Sequence, residues 1–389
     1  MDLISTVNII TPQYYPKISG LSIVAQKNVL VLLDLGYKVN VLTSAGCKSF
    51  SKEKVYTFTI KGNSTVFRPV RGNKGLFIQT LKNLSENATC NIFHGWHSWS
   101  TNLGLSISGK LGTKNILYSH GTGFSTLDPI ILRLLRRLNY IGARKQIDNY
   151  LKLIDGLIFV GNNIVHPRCY DLRHYKGDNK IYIPNPIPER NIEKDCSHQI
   201  IPDEMFFNNS YKLALCVSNY EKIKNQEYLI HLAKKMNFNL VLVGSEETQY
   251  SNYLQRELEK AKLSNQVKLL IGIGDCCIIE LLKKSNMFLF ASRQDFSPLV
   301  LIEAGYYKKP FISFTTADKH RPGGVFCNSK SEFEDTLNYY LSLPNTSLEE
   351  IGEQGKEYFQ KHHSIKSYSA NIENFISQFD HLRSNIFLL

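Results

Sequence analysis

The residues of this 389-residue chain that are best suited to chemistry lie between Ser292 and Glu303, after the apolar run MFLFA. Asp295 stands in a predicted strand-to-helix loop, and Glu303 follows on the helix that Pro298 is expected to open as its first residue. The N–H groups at a helix N-terminus favour a bound anion such as a diphosphate, and flanking carboxylates can accept hydrogen bonds from sugar hydroxyls. The spacing alone is equally consistent with a structural interpretation, in which Asp295 caps the helix and Glu303 is a solvated surface charge.

Two series of alternating strands and helices must position these residues. In the first half the predicted strands are 7–11, 38–43, 91–94, 115–119, 156–160 and 180–183, with a helix over 21–35. In the second half the predicted strands are 212–217, 239–244, 267–271, 287–291 and 310–314, and helices cover 226–236, 255–263, 279–284 and 299–307. This alternation predicts an α/β fold with two tandem Rossmann-like, doubly wound domains and a cleft between them.

The predicted domain boundaries follow from an acidic, polar stretch at 189–209. We expect an N-terminal domain over 1–190, a C-terminal domain over 191–365, and a last helix at 366–389 that packs back toward the N-terminal domain. Neither domain carries a GxGxxG after its first strand or a GxxxxGK[ST] loop, so nicotinamide and Walker-type nucleotide sites are excluded.

The net charge of +12 belongs to the first half of the chain. Residues 1–190 hold 24 Lys and Arg against 10 Asp and Glu, which points to an anionic partner for that half. No apolar run is long enough to span a membrane, no signal peptide is evident at the start, and the eight cysteines show no zinc spacing. We therefore expect a cytoplasmic protein with reduced cysteines, peripheral to a membrane at most.

Seven segments resemble, in order, those of retaining glycosyltransferases with the two-Rossmann-domain (GT-B) architecture, family 4 in particular. The quoted segments are TPQYYP…SG, NIFHGW, YSHG, IPNP, LCVSNYEKIKNQ, VG at Val243–Gly244, and SRQDFSPLVLIEA, which is similar to an E-x7-E motif. The resemblance implies an EC 2.4 transferase with a nucleotide-sugar donor on the C-terminal domain and the acceptor on the N-terminal one. It also implies no metal cofactor.

The resemblance assigns roles to individual positions. Glu303 would bind the ribose hydroxyls, Asp295 the donor sugar, and Lys224 the diphosphate, while His120 would close the site from the N-terminal side. The further donor-binding positions are Gly20, Asn219, Gly244, Phe296, Ser297, Pro298 and Leu299. His94 and His97 are candidates for contact with the acceptor or donor, although core roles fit them as well. His362 and His363 read as surface residues.

Two departures from the family pattern leave other functions open. The first acid of the motif is Asp295, whose side chain is one methylene shorter than the family's glutamate. The family's arginine before Lys224 is replaced by Asn219, so its role would fall to Tyr220, Lys222 or a basic residue of the N-terminal domain. A catalytically silent subunit that binds a partner transferase is one alternative. A nucleotide-sugar 2-epimerase is another, but its additional catalytic acids are not identifiable.

A basic amphipathic segment at 129–145 carries Arg133, Arg136 and Arg137 beside an apolar stripe. Such a segment is typical of a helix that lies on an anionic membrane surface, and equally of a core-facing helix with a solvated face. The family context favours the membrane, because many relatives glycosylate lipid-linked or lipopolysaccharide acceptors. The arginines alternate with aliphatic residues and no nucleic-acid-binding module is recognisable, so we expect no nucleic-acid partner.

Overall fold

The structure is a computed structural model that describes residues 5–17, 19–62, 70–122, 142, 144–188, 190, 210–314, 316 and 321–380. The chain divides into two compact units. The first consists of residues 1–186 and 365–389, and the second of residues 187–364. Arg190 therefore belongs to the second unit. Each unit is built around one parallel β-sheet.

The first unit contains a seven-stranded parallel sheet with the strand order β3-β2-β1-β6-β7-β8-β9. Its strands are β1 Thr6–Ile10, β2 Lys38–Ser44, β3 Lys54–Phe58, β6 Cys90–His94, β7 Lys114–Ser119, β8 Gly156–Phe159 and β9 Lys180–Tyr182, and β4 Ile60–Lys61 pairs antiparallel with β5 Arg71–Gly72. The helices are α1 Gly20–Asp34, α2 Lys74–Ser85, α3 Trp99–Ser108 and α4 Tyr170–His174. The chain order reverses between β1 and β6, as in a doubly wound sheet.

A row of four buried or half-buried asparagines crosses this sheet. Asn40 donates to Asn8, Asn8 donates to Asn91, and Asn91 donates to Asn115 through side-chain amides at 2.9, 2.9 and 3.2 Å. These residues face one another in the register of β2, β1, β6 and β7. Each side-chain amide therefore provides a hydrogen-bond partner for the next one, so these buried polar groups are paired.

The second unit contains a six-stranded parallel sheet with the order β12-β11-β10-β13-β14-β15. Its strands are β10 Leu213–Val217, β11 Asn239–Gly244, β12 Val267–Ile271, β13 Met287–Phe290, β14 Phe311–Phe314 and β15 Gly324–Cys327. Its helices are α5 Gln226–Met236, α6 Gln249–Lys260, α7 Asp275–Lys284, α8 Leu299–Tyr306, α9 Lys330–Ser342 and α10 Asn345–His363. The reversal here lies between β10 and β13.

The last described helix, α11 Ile365–Ile376, returns to the first unit. It lies against β8, where a methyl group on Gly156 would come within 2.9 Å of the Phe375 ring. Beyond it, the Ser5 hydroxyl donates to the buried Asp380 carboxylate at 3.0 Å. Both ends of the described chain are thus part of the same core.

These sheets confirm the predicted fold class of two doubly wound α/β domains, whereas several local predictions were wrong; α7, for example, begins at Asp275 rather than 279. Helix α6 begins at Gln249 rather than 255, because Thr248 and Ser251 form a capping box six residues upstream of the predicted start. The short strands β3, β4, β5 and β15 were not predicted. His363 is fully buried beside Phe359, whereas its neighbour His362 is exposed as expected.

Candidate functional site

The candidate donor site lies at the carboxyl edge of the second sheet, where β10 and β13 adjoin and the chain order reverses. Ligands of open α/β sheets bind in the crevice that such a reversal leaves. The loop after β10 is bound to the loop after β13: Arg293 N donates to Ile223 O at 2.9 Å, and Arg293 Nη2 donates to Asn225 Oδ1 at 2.9 Å. Asn225 takes the left-handed conformation at φ 60°, which asparagine tolerates. These contacts fix Lys224 opposite Asp295.

Lys224 Nζ donates to both carboxylate oxygens of Asp295, at 2.9 and 3.1 Å. The two side chains are 20% and 19% exposed, so the ion pair is open to solvent and to a ligand on one side. Asp295 is therefore not a helix cap. Helix α8 begins at Leu299, as the predicted range 299–307 has it, and Pro298 is its N-cap, without a side-chain cap bond, rather than its first residue.

Glu303 is not a solvated charge, because its carboxylate is buried and bound by an arginine. Arg190 donates from Nε to Glu303 Oε1 and, at 2.7 Å, from Nη2 to Oε2. The remaining Arg190 nitrogen, Nη1, donates to Asp275 Oδ1 at 2.7 Å. The guanidinium group therefore holds two carboxylates in one plane, the geometry in which charge-assisted hydrogen bonds are strongest.

Burial and charge oppose each other at Glu303. Burial raises the pKa of its carboxyl group, the hydrogen bonds and charge of Arg190 lower it, and the Asp275 carboxylate raises it again. The net effect is a raised pKa, and the hydrogen bonds and charge of the guanidinium group limit the rise.

Glycines bring α8, the helix that carries Glu303, close to α10. A methyl group on Gly305 would come within 2.0 Å of the Phe359 ring, and one on Gly352 within 1.9 Å of Lys308 O. A methyl group at Gly305 would require α8 to shift or the Phe359 ring to turn, and one at Gly352 would require the backbone to move. Helix α8, with Glu303, therefore packs directly against α10.

Two predicted donor positions, Asn219 in the loop after β10 and Gly244 at the end of β11, mainly support the loops. Asn219 Oδ1 accepts a hydrogen bond from Ser245 Oγ at 2.9 Å, and a methyl group on Gly244 would meet the Tyr220 ring at 2.3 Å. The Tyr220 hydroxyl donates to the carbonyls of Leu242 and Leu270 at 2.9 and 3.0 Å. Tyr220 therefore points into the core and does not replace the missing arginine, while Lys222 is exposed.

The remaining donor positions follow β13 in the chain. Phe296 is buried, Ser297 and Pro298 lead into α8, and Leu299 packs inward as its first residue. The structure thus brings Asn219, Lys224, Gly244, Asp295 to Leu299, and Glu303 to the same unit, around the ends of β10, β11 and β13.

Three predicted positions gather at the carboxyl edge of the first sheet. His94 ends β6, is fully buried, and stacks on Tyr118 with ring centroids 4.8 Å apart. Its Nε2 lies 3.3 Å from Asn28 Nδ2, and its Nδ1 lies 3.4 Å from His120 Nε2. If the Asn28 amide donates, His94 carries its hydrogen on Nδ1 and donates it to His120. That arrangement needs both rings neutral.

The electrostatics of the first unit favour neutral imidazoles. Burial, and to a lesser extent the nearby charge of Arg168, lower the pKa of His120 to about 4. The same two causes, in the same order, lower the pKa of His97, which sits in the left-handed conformation at φ 56°. His94 is therefore a core residue that orients His120. The remaining predicted position of this unit, Gly20, is the first residue of α1.

A buried carboxylate that the sequence analysis missed organises this edge. Asp171 accepts hydrogen bonds from Trp96 Nε1 at 2.6 Å, from the Ser119 hydroxyl, and from Leu172 N at 2.9 Å. Ser119 Oγ in turn accepts from Gly121 N at 3.1 Å. Asp171 thus joins the ends of β6 and β7 on either side of His120.

Arg190 is the second residue that the sequence analysis missed. It lay in a segment read as a linker, and its only signal was a basic residue close behind the IPNP motif. Asp171 gave an equally weak signal, a single acid in a basic stretch. Neither residue belongs to a motif, so only the tertiary contacts reveal them.

Three further predictions concern the basic segment, a metal ion and the membrane. Arg133, Arg136 and Arg137 lie outside the described residues. Within the ranges described above, no cluster of three or more His, Cys, Asp or Glu side chains is arranged to hold a metal ion. In the same ranges, no helix combines the length and apolarity needed to cross a membrane.

The chain resembles known proteins both in sequence and in structure. Residues 198–358 match the family described as "Glycosyl transferases group 1". The chain is similar to the structure of sucrose-phosphate synthase from Thermosynechococcus elongatus, with a TM-score of 0.70, 13% identity, and coverage of 96% of this chain and 98% of that one. No curated protein matches in sequence.

Two further solved structures share the fold. Anabaena HepE in complex with UDP aligns with a TM-score of 0.66 and 12% identity over 96% of this chain and 100% of that one. WaaG, a glycosyltransferase involved in lipopolysaccharide biosynthesis, aligns with a TM-score of 0.64 and 14% identity over 95% of this chain and 99% of that one.

The family match falls on the unit that holds Lys224, Asp295 and Glu303, and the structural matches extend over nearly the whole chain. The chain therefore has the GT-B fold of these solved structures, and residues 198–358 of its second unit match the family described as "Glycosyl transferases group 1".

Proposed function

We propose that the protein is a retaining, family 4-like transferase that moves a sugar from a nucleoside diphosphate sugar to a saccharide or lipid-linked glycan acceptor without a metal ion. The observation that carries this proposal is the contact of Lys224 with Asp295 at the β10–β13 edge, with Glu303 on the helix that follows. UDP is the expected carrier, since HepE has been solved with it.

The chemistry of glycosyl transfer accounts for these residue types. The transition state resembles an oxocarbenium ion, and the departing diphosphate gains negative charge as the glycosidic bond breaks. Lys224 and the first-turn N–H groups of α8 would stabilise that negative charge. In other enzymes a metal ion has this role. Asp295, released from Lys224 by the diphosphate, would accept hydrogen bonds from the donor sugar.

The biological setting is part of the proposal. The likeness to WaaG and the basic first half of the chain favour a role in surface polysaccharide or lipopolysaccharide synthesis. The acceptor would then be presented at the cytoplasmic face of a membrane, where an anionic surface attracts a basic domain.

A silent subunit is the second candidate, because the acidic groups of the site are paired within the chain. Lys224 holds Asp295, and Arg190 holds Glu303. A chain that binds no donor and only supports a partner transferase could keep such pairs permanently. Nucleotide binding separates the two functions.

The first experiment measures thermal unfolding with UDP, GDP, ADP and their sugars, with no acceptor present. A ligand at about 100 times its Kd stabilises the folded state by roughly 2.7 kcal/mol, which is a visible shift of Tm. We expect a shift with the uridine compounds. The absence of a shift with every nucleotide would contradict the proposal and favour the silent subunit.

The second arm tests Lys224. Lys224→Ala should reduce UDP release from the donor by roughly 10²–10³-fold, because one positioned cation contributes about 3–4 kcal/mol to a developing anion. Lys235→Ala is the matched control, since Lys235 also forms an ion pair, with Glu334, but is 55% exposed on α5. Equal rates in the two variants would show that Lys224 does not contact the diphosphate. The anomeric configuration of the product, read by NMR, tests retention.

A further inference from the structure

The segment 119–122, which carries His120, is bound to Asp171 at its start. The Asp171 carboxylate accepts a hydrogen bond from the Ser119 hydroxyl, and the same hydroxyl oxygen accepts one from Gly121 N at 3.1 Å. The chain bends at His120, and Gly121 takes φ 83°, a conformation that suits glycine. Through Ser119, Asp171 is therefore connected to the backbone on both sides of His120.

The far end of the same segment is bound to Arg168. Thr122 donates to the Arg168 carbonyl from its amide N at 2.8 Å and from its hydroxyl at 3.1 Å, and Arg168 Nε donates back to Thr122 O at 3.0 Å. Arg168 stands in the short 3-10 helix Pro167–Cys169, directly before α4, which carries Asp171. One continuous piece of chain thus binds the His120 segment at both ends.

The Asp171 position requires a carboxylate. Its Oδ2 accepts from the Ser119 hydroxyl and from Trp96 Nε1 at 2.6 Å, and its Oδ1 accepts from Leu172 N at 2.9 Å. An asparagine amide has one acceptor oxygen, and in either orientation its NH2 group would face the Leu172 or the Trp96 N–H. Since the residue is 1% exposed, water has little access to repair the mismatch.

The imidazole ring of His120 is held separately from its backbone. Its Nε2 lies 3.4 Å from His94 Nδ1, and its ring stacks on Tyr118 with centroids 5.3 Å apart. His94 and Tyr118 are fully buried residues of β6 and β7. These contacts reach the ring only while the backbone keeps His120 at the edge of the sheet, so they depend on the backbone contacts with residues 168–171.

We propose that Asp171 is a positioning residue for glycosyl transfer, which holds His120 in its working orientation through Ser119. The inference rests on the proposed function, with the role that the family resemblance implies for His120. Donor affinity would come mainly from Lys224 and the other donor positions of the second unit. Release of His120 would therefore slow transfer more than it weakens donor binding.

The experiment measures UDP release at saturating donor, with the UDP-sugar that gives the largest shift of Tm and at a temperature well below the Tm of each variant. Asp171→Asn should lower kcat by roughly 10- to 100-fold and leave the KM of the donor nearly unchanged, because a misplaced group loses contacts of the transition state. Ser119→Ala should act in the same direction. It removes no charge, so it keeps the test valid if Asp171→Asn fails to fold.

A double variant and a matched control complete the kinetic test. Asp171→Asn combined with Ser119→Ala should be no slower than Asp171→Asn alone, since both changes interrupt the same connection. The control is Tyr170→Phe on the same helix, which removes the hydrogen bond of the Tyr170 hydroxyl to the Asp148 carboxylate and leaves the Ser119 contact in place. It should keep the wild-type kcat.

A second readout is the titration of His120 by NMR, assigned with His120→Asn. Burial, and to a lesser extent the charge of Arg168, hold the pKa of His120 at about 4. Loss of the Asp171 negative charge would by itself lower this pKa, whereas release of the ring into solvent raises it toward 6.5. A rise in Asp171→Asn and Ser119→Ala therefore reports displacement of the ring. The titratable and charged side chains next to the ring in the described structure are those of His94, Tyr118 and Arg168, and the variants keep all three.

The outcomes distinguish the inference from the proposed function. If the wild type releases UDP, but Asp171→Asn and Ser119→Ala match Tyr170→Phe in kcat and in the pKa of His120, Asp171 only stabilises the fold. The inference is then wrong and the proposed function stands. If the wild type binds no nucleotide and releases none from any nucleotide sugar, both are wrong.

Discussion

At the scale of single residues, the proposed donor site is a set of charges that the chain has already paired. Lys224 binds Asp295, and Arg190 binds Glu303 and Asp275. The two pairs differ in burial: the first is partly open, whereas the second is enclosed. We therefore expect a donor to exchange partners at the first pair, which is the accessible one.

This difference affects how Glu303 can be tested. Removal of one partner of a buried ion pair costs roughly 3–5 kcal/mol, because the other charge stays buried without compensation. Glu303→Ala would thus be expected to lose stability along with activity. Glu303→Gln, which keeps the size of the side chain and one oxygen that can accept from Arg190, is the more conservative variant.

The pH dependence of the protein should reflect the neutral histidines of the first unit. The pKa of His120 lies at about 4 in the folded state and near 6.5 in an unfolded chain, so protonation favours unfolding. The stabilisation is fully present above pH 6.5 and is lost as the pH falls through about 4. We expect the free energy of unfolding to decline over that range, and less steeply in His120→Asn.

The same residue should shape the activity profile. If transfer requires a neutral His120, kcat/KM stays level through pH 6.5 and falls only near pH 4, where the folded enzyme persists. A pH–rate profile together with denaturant unfolding at each pH checks this. A decline centred on pH 6.5 would mean that His120 titrates like an exposed imidazole.

The site was predicted from sequence only where residues stand in a motif. Asp295 and Glu303 were singled out by their spacing after a predicted strand, and the family resemblance assigned roles to both and to Lys224. Arg190 and Asp171 were not, because their partners lie about a hundred and about fifty to seventy-five residues away along the chain. No local pattern encodes a contact over that separation.

At the scale of elements, the packing of α8 on α10 decides where Glu303 lies. Gly305→Ala would place a methyl group 2.0 Å from the Phe359 ring, so α8 must shift or the ring must turn. Overpacking of this kind costs typically about 1–3 kcal/mol. We expect a lower Tm and slower transfer at saturating donor, measured by thermal unfolding and by nucleoside diphosphate release.

The control for this prediction is another helical glycine with space around it. Nothing lies within 4 Å of a methyl group on Gly75 in α2. Gly75→Ala should therefore leave transfer unchanged and raise stability by up to about 1 kcal/mol, because alanine loses less entropy in a helix. If Gly305→Ala behaved like Gly75→Ala, α8 would not depend on the close contact.

Element predictions succeeded where buried strands are long and apolar. Asn239–Gly244 and Val267–Ile271 were predicted to the residue, since aliphatic residues dominate both, with one asparagine at the start of the first and one lysine inside the second. Strand β3 Lys54–Phe58 was missed because Lys, Tyr and Thr alternate at an edge that is only partly buried. Its pairing with β2, and not its own pattern, makes it a strand.

At the scale of the whole molecule, the charge asymmetry predicts association with anionic surfaces. The first 190 residues carry 24 basic against 10 acidic side chains. We expect the protein to sediment with anionic liposomes and to dissociate as salt is added, because the attraction is screened within about 10 Å at 0.1 M ionic strength. Neutral liposomes should bind much less of it.

A matched pair of triple variants tests whether the segment 129–145 is responsible. Replacement of Arg133, Arg136 and Arg137 by alanine should reduce the bound fraction more than replacement of the exposed residues Lys48, Lys52 and Lys61, although both variants lose three charges. Equal losses would indicate that overall charge acts without a dedicated membrane-binding segment.

The asparagine row of the first sheet has a consequence for how that unit finds its strand alignment. Strands that are apolar on both faces give little information about register, since a slipped pairing buries almost the same surface. Asn40, Asn8, Asn91 and Asn115 satisfy one another only when four strands align as observed. A slip by one residue would leave amides unpaired in the interior, at a cost of roughly 1–3 kcal/mol for each group. The sheet thus obtains its unique alignment from a few buried polar groups, whereas its cohesion comes from the aliphatic side chains around them.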